Sequence, residues 1–215
     1  MSADLLSLFT ASFVTFFVLI DALGVAPVFA TLTARGNPAY RRNMAVKSTF
    51  VATIIMFSFA FGGAWLMDAM HISIDAFRAA GGALLFLIAL DMVFEKRTER
   101  REHRAEEHIG SHKADPEPDD ISVFPIGIPM IAGPGSIATA MFYMSDADNW
   151  AEKGVILLSI GLNLLLTLLI FVAAGPLVRM LGASVAGAMT RIFGVILAAL
   201  SVQLLIDGIK GAFAL

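Results

Sequence analysis

Long apolar runs separated by short clusters of charge dominate this chain. Ser48 to Met67, Ile121 to Ser145 and Gly154 to Val178 contain no Asp, Glu, Lys or Arg over 20, 25 and 25 residues. Each matches the roughly 20 residues that a helix needs to cross about 30 Å of hydrocarbon. The runs are continuous, whereas barrel strands alternate apolar and polar positions over segments of about ten residues. The pattern therefore predicts helices, with spans near 6–33, 48–67, 76–94, 122–144, 154–176 and 189–209. The N-terminal Met1-Ser2-Ala3-Asp4 has no basic n-region, and the apolar stretch after it outruns a signal-peptide core. It is expected to stay as the first span.

Composition agrees with the pattern. Of 215 residues 58% are apolar and 15% charged, and mean hydropathy is +0.80. Soluble domains carry about 45–50% and about 25%. There is no cysteine, so neither a disulfide framework nor thiolate chemistry is available. The net charge of −3, with no basic excess, gives no footprint for nucleic acid. Lys and Arg concentrate in three of the five loops. Arg35, Arg41, Arg42 and Lys47 follow span 1; Lys96, Arg97, Arg100, Arg101, Arg104 and Lys113 follow span 3; Arg179 and Arg191 lie between spans 5 and 6. Only Arg78, Lys153 and Lys210 fall on the other side. The positive-inside rule then puts these three loops in the cytoplasm and both termini outside.

Residues 95–120 hold 15 of the 33 charges and end in Asp115-Pro116-Glu117-Pro118-Asp119-Asp120. The segment reads as a solvated cytoplasmic linker between two halves, 1–94 and 121–215. Its His103, His108 and His112 are weak metal candidates, because Gly110 interrupts the helical spacing.

The halves resemble each other. A shift of 113 residues pairs Gly62 with Gly175, Met67 with Met180, Arg78 with Arg191, Gly81 with Gly194 and Leu84 with Leu197. A shift of 107 pairs Pro27 with Pro134. Three spans per copy is an odd number, so the second copy enters the membrane inverted. The fold class expected is an all-α membrane protein of six transmembrane helices in two inverted three-helix repeats, an arrangement common in secondary transporters.

The first span of each half should be broken at Pro and Gly. Span 1 carries Asp21-Ala22-Leu23-Gly24-Val25-Ala26-Pro27; span 4 carries Pro125, Pro129, Gly133, Pro134, Gly135 and Ser136. Proline removes a donor and clashes with the preceding turn. Backbone groups freed in this way must face protein or a wet cavity. A half-helix then offers unpaired amides and the positive end of its dipole to a carboxylate.

Among polar residues within the spans, Asp21 stands out. A mid-bilayer carboxylate must face inward, pair with a cation or be protonated. It is expected to take a coupling Na⁺ or H⁺ or a substrate ammonium, with capping of the amides freed near Gly24 as the alternative. Asn163 is a further substrate-site candidate, and Gln203 is expected to bond across helices. Asp91 and Asp207 lie at span ends, where a surface position is expected. Arg78 and Arg191 are repeat mates expected to anchor helices or gate the path. Gly62-Gly63 and Gly81-Gly82 are expected to allow close helix approach. Ser136 has no base at hand, all four histidines being in loops, so nucleophilic catalysis fails and no enzyme is expected.

Three segments carry a family resemblance: Asp21-x-x-Gly24-x-x-Pro27-x-Phe29, Arg78-x-x-Gly81-Gly82-x-Leu84-Leu85, and Phe124-Pro125-x-x-x-Pro129-x-x-x-Gly133-Pro134-Gly135. Through them the chain resembles the MarC family of bacterial and archaeal inner-membrane proteins, within the wider group of LysE-like exporters. It departs from the family pattern at Asp21-Ala22, where Asn-Pro or Asp-Pro is usual. The resemblance implies transport of small neutral amino acids such as glycine and alanine.

The combined expectation is an inner-membrane secondary transporter. Its substrate site would be lined by Asp21, Gly24, Pro27, Pro129, Gly133, Pro134, Gly135, Ser136 and Asn163. No cofactor or fixed metal is expected, apart from a coupling Na⁺ or H⁺ at Asp21. The partners are a small-molecule substrate and the lipid bilayer, not nucleic acid, and a homo-oligomer is left open. The alternatives are a channel or exporter for another metabolite, and a membrane scaffold that does not transport.

Overall fold

The computed structural model describes residues 3–97, 99–103 and 120–213, and every regular element among them is helical. In chain order these are α1 (Ala3–Ile20), α2 (Ala22–Leu32), α3 (Pro38–Ala69), α4 (Ile74–Val93), α5 (Ser122–Ile131), α6 (Pro134–Asp146), α7 (Trp150–Val172) and α8 (Ala174–Phe213). Residues 96–97 and 99–103 are helical as well. Five stretches are long and apolar enough to cross a membrane: Asp4–Leu32, Pro38–Ala69, Ile74–Val93, Trp150–Val172 and Val185–Phe213. The pair α5 and α6 makes a sixth if it is one bent span.

Caps set several helix starts. Asn37 accepts from the Tyr40 amide at 2.8 Å with Pro38 in the first turn, so α3 begins well before the apolar run at Ser48. Ser73 caps α4 and Asn149 caps α7 in the same way.

The first span is the central one. Its apolar window is 67% buried, against 22% for those of α4 and α8. It packs through α1 along α7 and through α2 against α8, while α3 covers α5, α6 and α7, and α4 runs along α8. Phe29 of α2 stacks on Phe171 of α7 with ring centres 4.5 Å apart. The outer faces stay apolar: Trp65 is 73% exposed and Leu169 57% exposed. An exterior of this kind suits hydrocarbon and not water.

Close helix approach falls on one glycine of each expected pair. A Cβ on Gly82 would lie 2.6 Å from the Leu205 amide nitrogen and 2.8 Å from the Ser201 carbonyl of α8. A Cβ on Gly63 would meet Met141, whereas Gly62 and Gly81 face open space.

The break in span 1 lies at Asp21, not at the proline. Asp21 adopts a left-handed backbone (φ 51°, ψ 52°), and Pro27 sits inside an uninterrupted α2. Asp is one of the few residues that enter this region readily. In the fourth span, Phe124 and Ile128 are extended, the conformation favoured before proline. The chain winds through α5 with wide bonds, the Ala132 amide donating to the Gly127 carbonyl at 3.0 Å. It then restarts as α6 at an angle of 58°.

The expected linker, 95–120, is only partly a solvated segment. Its start folds back onto the bundle, and Arg101 is 3% exposed. Its far end is pinned where Lys47 of α3 meets Asp120 at 2.9 Å. Asp120 also accepts from the Ser122 amide and hydroxyl, and with Lys47 these bonds hold its carboxyl down at about 2. His103 lies within the described residues, while His108 and His112 lie outside them.

Candidate functional site

Between the two breaks lies a cavity of about 230 Å³. One wall is the start of α6, residues Gly133, Pro134, Gly135 and Ser136, preceded by Pro129 and Met130 of α5. Leu19, two residues before the break in span 1, lines the cavity as well, with Ile88 and Asp91 of α4. Arg97, Arg100 and Arg101 of the folded-back segment complete it.

The polar groups of this cavity follow from helix ends. The first amides of a helix lack intrahelical partners, and Gly133, extended at the cap position, provides no side chain to satisfy those of α6. This end of α6 therefore presents unpaired amides and the positive end of its dipole beside the cavity. At the end of α1, the Leu19 carbonyl is similarly without a next turn, and Arg97 donates to it at 2.7 Å.

Asp21 and Arg101 form the ion pair behind this wall. Arg101 Nη1 donates to Asp21 Oδ2 at 2.9 Å, with the two side chains 4% and 0% exposed. Asp21 also accepts from the Gly24 amide at 3.2 Å and from the Thr190 hydroxyl of α8 at 3.2 and 3.3 Å. Gly24 is required here, because its Cβ would fall 2.3 Å from Asp21 Oδ2 and 2.5 Å from Thr190 Oγ1. Capping is thus the geometry adopted, and a protein cation already satisfies the carboxylate. Arg101 Nη2 is buried with no hydrogen-bond partner among the described residues.

The remaining charges divide unevenly. Asp91 pairs with Arg100 at 2.5 Å. Arg97 meets a carbonyl and the Met92 sulfur, and no carboxylate lies within 4 Å of it among the described residues. Burial, and then repulsion from Arg101, push the Arg97 guanidinium down to about 9, with Asp21 and Asp91 pulling the other way. It stays charged at neutral pH.

Of the residues predicted from sequence, Pro129, Gly133, Pro134, Gly135 and Ser136 line the cavity, and Asp21 and Gly24 lie directly behind it. Pro27 and Asn163 do not line it. Asn163 is 2% exposed and donates to the Phe13 carbonyl at 3.1 Å, tying α7 to α1 beside the Ser12–Ser159 hydroxyl pair. Gln203 bonds within its own helix, to Asp207, instead of across helices. Arg78 meets Asp75 at 3.5 Å, pairs with Asp146 at the end of α6 and lies over the Phe142 ring. Arg191 pairs with Glu95. Arg78 thus ties the start of α4 to the end of α6, and Arg191 ties α8 to the residues just after α4.

Sequence reasoning missed Arg97, Arg100 and Arg101, and left Asp91 as a surface group. The signal was present: a carboxylate within a span needs a cation, and Arg97 and Arg101, four residues apart, share one helical face. A second recess, of about 300 Å³, is bordered by Arg41, Arg42 and Arg179 where α2 and α7 end and α3 and α8 begin, and holds none of the predicted residues.

A sequence profile described as MarC family integral membrane protein matches residues 6–213. The chain is 36% identical to a UPF0056 membrane protein of Methanocaldococcus jannaschii over 208 residues, covering 96% of this chain and 98% of the relative. It is 32% identical to the UPF0056 membrane protein YvbG of Bacillus subtilis over 201 residues, covering 94% and 93%. No solved structure matches it.

Proposed function

Since the chain belongs to the MarC family of integral membrane proteins, we propose that it is a secondary transporter of the cytoplasmic membrane, carrying a small carboxylate-bearing solute through the cavity between its two broken spans. The observation that carries this reading is the cavity itself. The open end of α6 and three guanidiniums line it, together with Leu19 beside the break in span 1. Interrupted spans facing each other near mid-membrane are the usual construction of a transporter site.

The two halves act as inverted repeats in this reading. The paired residues of the sequence support it, and so does the mutual packing of the last helix of each half. Gly82 of α4 abuts the backbone of α8, and Gly194 of α8 abuts the Ala89 carbonyl of α4. By the distribution of Lys and Arg, the cavity opens to the cytoplasm and the termini lie outside.

The solute carboxylate binds at the amides of Gly135 and Ser136 and at Arg101 Nη2. Glycine and alanine, the solutes implied by the family resemblance, meet this requirement. An ion gradient, of Na⁺ or H⁺, supplies the driving force, with Asp21 in the ion path.

Uptake into proteoliposomes tests the reading. Labelled glycine, alanine and propionate are offered with and without H⁺ or Na⁺ gradients. Gradient-driven accumulation of at least one of them is expected, and Asp21→Asn, which keeps an oxygen to cap Gly24, should uncouple it. A folded, reconstituted protein that moves none of them under any gradient would overturn the proposal.

A further inference from the structure

We infer that the cavity between the breaks is selective for a small monoanion, a monocarboxylate without an ammonium group, over the zwitterion of an amino acid. The inference rests on the transport reading only in placing the solute in this cavity. Three guanidiniums, those of Arg97, Arg100 and Arg101, face two carboxylates, those of Asp91 and Asp21. Each carboxylate has one guanidinium partner, leaving Arg97 with no carboxylate within 4 Å among the described residues. The dipole at the start of α6 adds to the same sign.

A zwitterion brings no net charge to this balance. Its ammonium would need an acceptor, and both carboxylates are already engaged by guanidiniums. Asp21 is already occupied by Arg101, Thr190 and the Gly24 amide, and Asp91 by Arg100. A carboxylate meets the opposite situation. Among the described residues Arg101 Nη2 is buried without a partner, Gly135 and Ser136 at the start of α6 line the same cavity, and Arg97 completes the charge. The volume of about 230 Å³ far exceeds the roughly 10–15 Å³ that one water requires, so the carboxylate can bring a short carbon chain against Leu19 and Ile88.

Propionate and L-alanine share a carbon skeleton and differ by the ammonium, so this pair isolates the claim. Calorimetric titration of the purified full-length protein in detergent should show propionate binding more tightly by about tenfold or more, the worth of one well-placed charge contact. Arg97→Gln should remove that preference and Arg97→Lys should retain it. Nitrate, a monoanion without a carbon chain, should bind more weakly than propionate.

Alanine binding as tightly as propionate in the wild type would overturn the inference without recourse to any variant. So would an Arg97→Gln protein that binds propionate unchanged, or nitrate matching propionate, which would make this a plain anion site. Failure of the transport reading looks different. Propionate would bind with the stated preference and yet not cross the bilayer of proteoliposomes.

Discussion

At Asp21 one residue performs three tasks that a continuous transmembrane helix would not require. Its left-handed backbone ends α1, its carboxylate caps α2 at Gly24, and its charge draws Arg101 into the bundle. Removing one partner of a buried pair leaves the other charge uncompensated, at a cost of about 3–5 kcal/mol, whereas replacing both with apolar groups is often neutral. Asp21→Ala and Arg101→Ala should therefore each lower the thermal unfolding midpoint in detergent, while the double change Asp21→Leu with Arg101→Met should lie above both. Equal midpoints for the single variants and the wild type would show that the pair holds nothing together. The need for a cation at Asp21 was legible in the sequence. Its identity was not, because the charged segment containing Arg101 has the composition of a solvated linker.

Among the elements, the contact of α4 with α8 shows what patterning conveys and what it does not. The motif Arg-x-x-Gly-x-x-Leu opens the third span of each half, and Gly194 of one copy and Gly82, beside the motif glycine of the other, lie on a close helical seam. Hydropathy alone does not say which glycine of a pair faces the neighbour, since a helix buried on one side and in lipid on the other is apolar all round. The structure settles it at Gly82, where a Cβ would meet backbone of α8 that has no room to yield. Gly82→Ala should separate the helices and lower the unfolding midpoint. Gly81→Ala, with open space around its Cβ, should leave it unchanged or raise it by the roughly 1 kcal/mol of added helix propensity. Paired thermal melts would check this, and the two variants behaving alike would contradict it. The same limit explains Pro27. A proline within a span signals a freed carbonyl, but the break went to Asp21, where a polar side chain could cap the new helix end.

For the whole molecule, the helical membrane class followed directly from charge-free length, and the bend between α5 and α6 followed from three prolines in ten residues. The cavity did not, because it forms from three parts distant in sequence: the end of α1, the start of α6 and the folded-back segment. Only Pro129 and Gly133–Ser136 were identifiable in advance, through the chemistry of a helix N-terminus. The central claim is that this cavity is the solute's path, and the chain's lack of cysteine makes it directly testable. Ser136 is 2% exposed and lines the cavity. The rate at which a small anionic methanethiosulfonate modifies Ser136→Cys in reconstituted protein should fall when solute is bound, and the reaction should proceed from the side of the folded-back segment. A rate indifferent to saturating solute, in protein that still transports it, would place the path elsewhere.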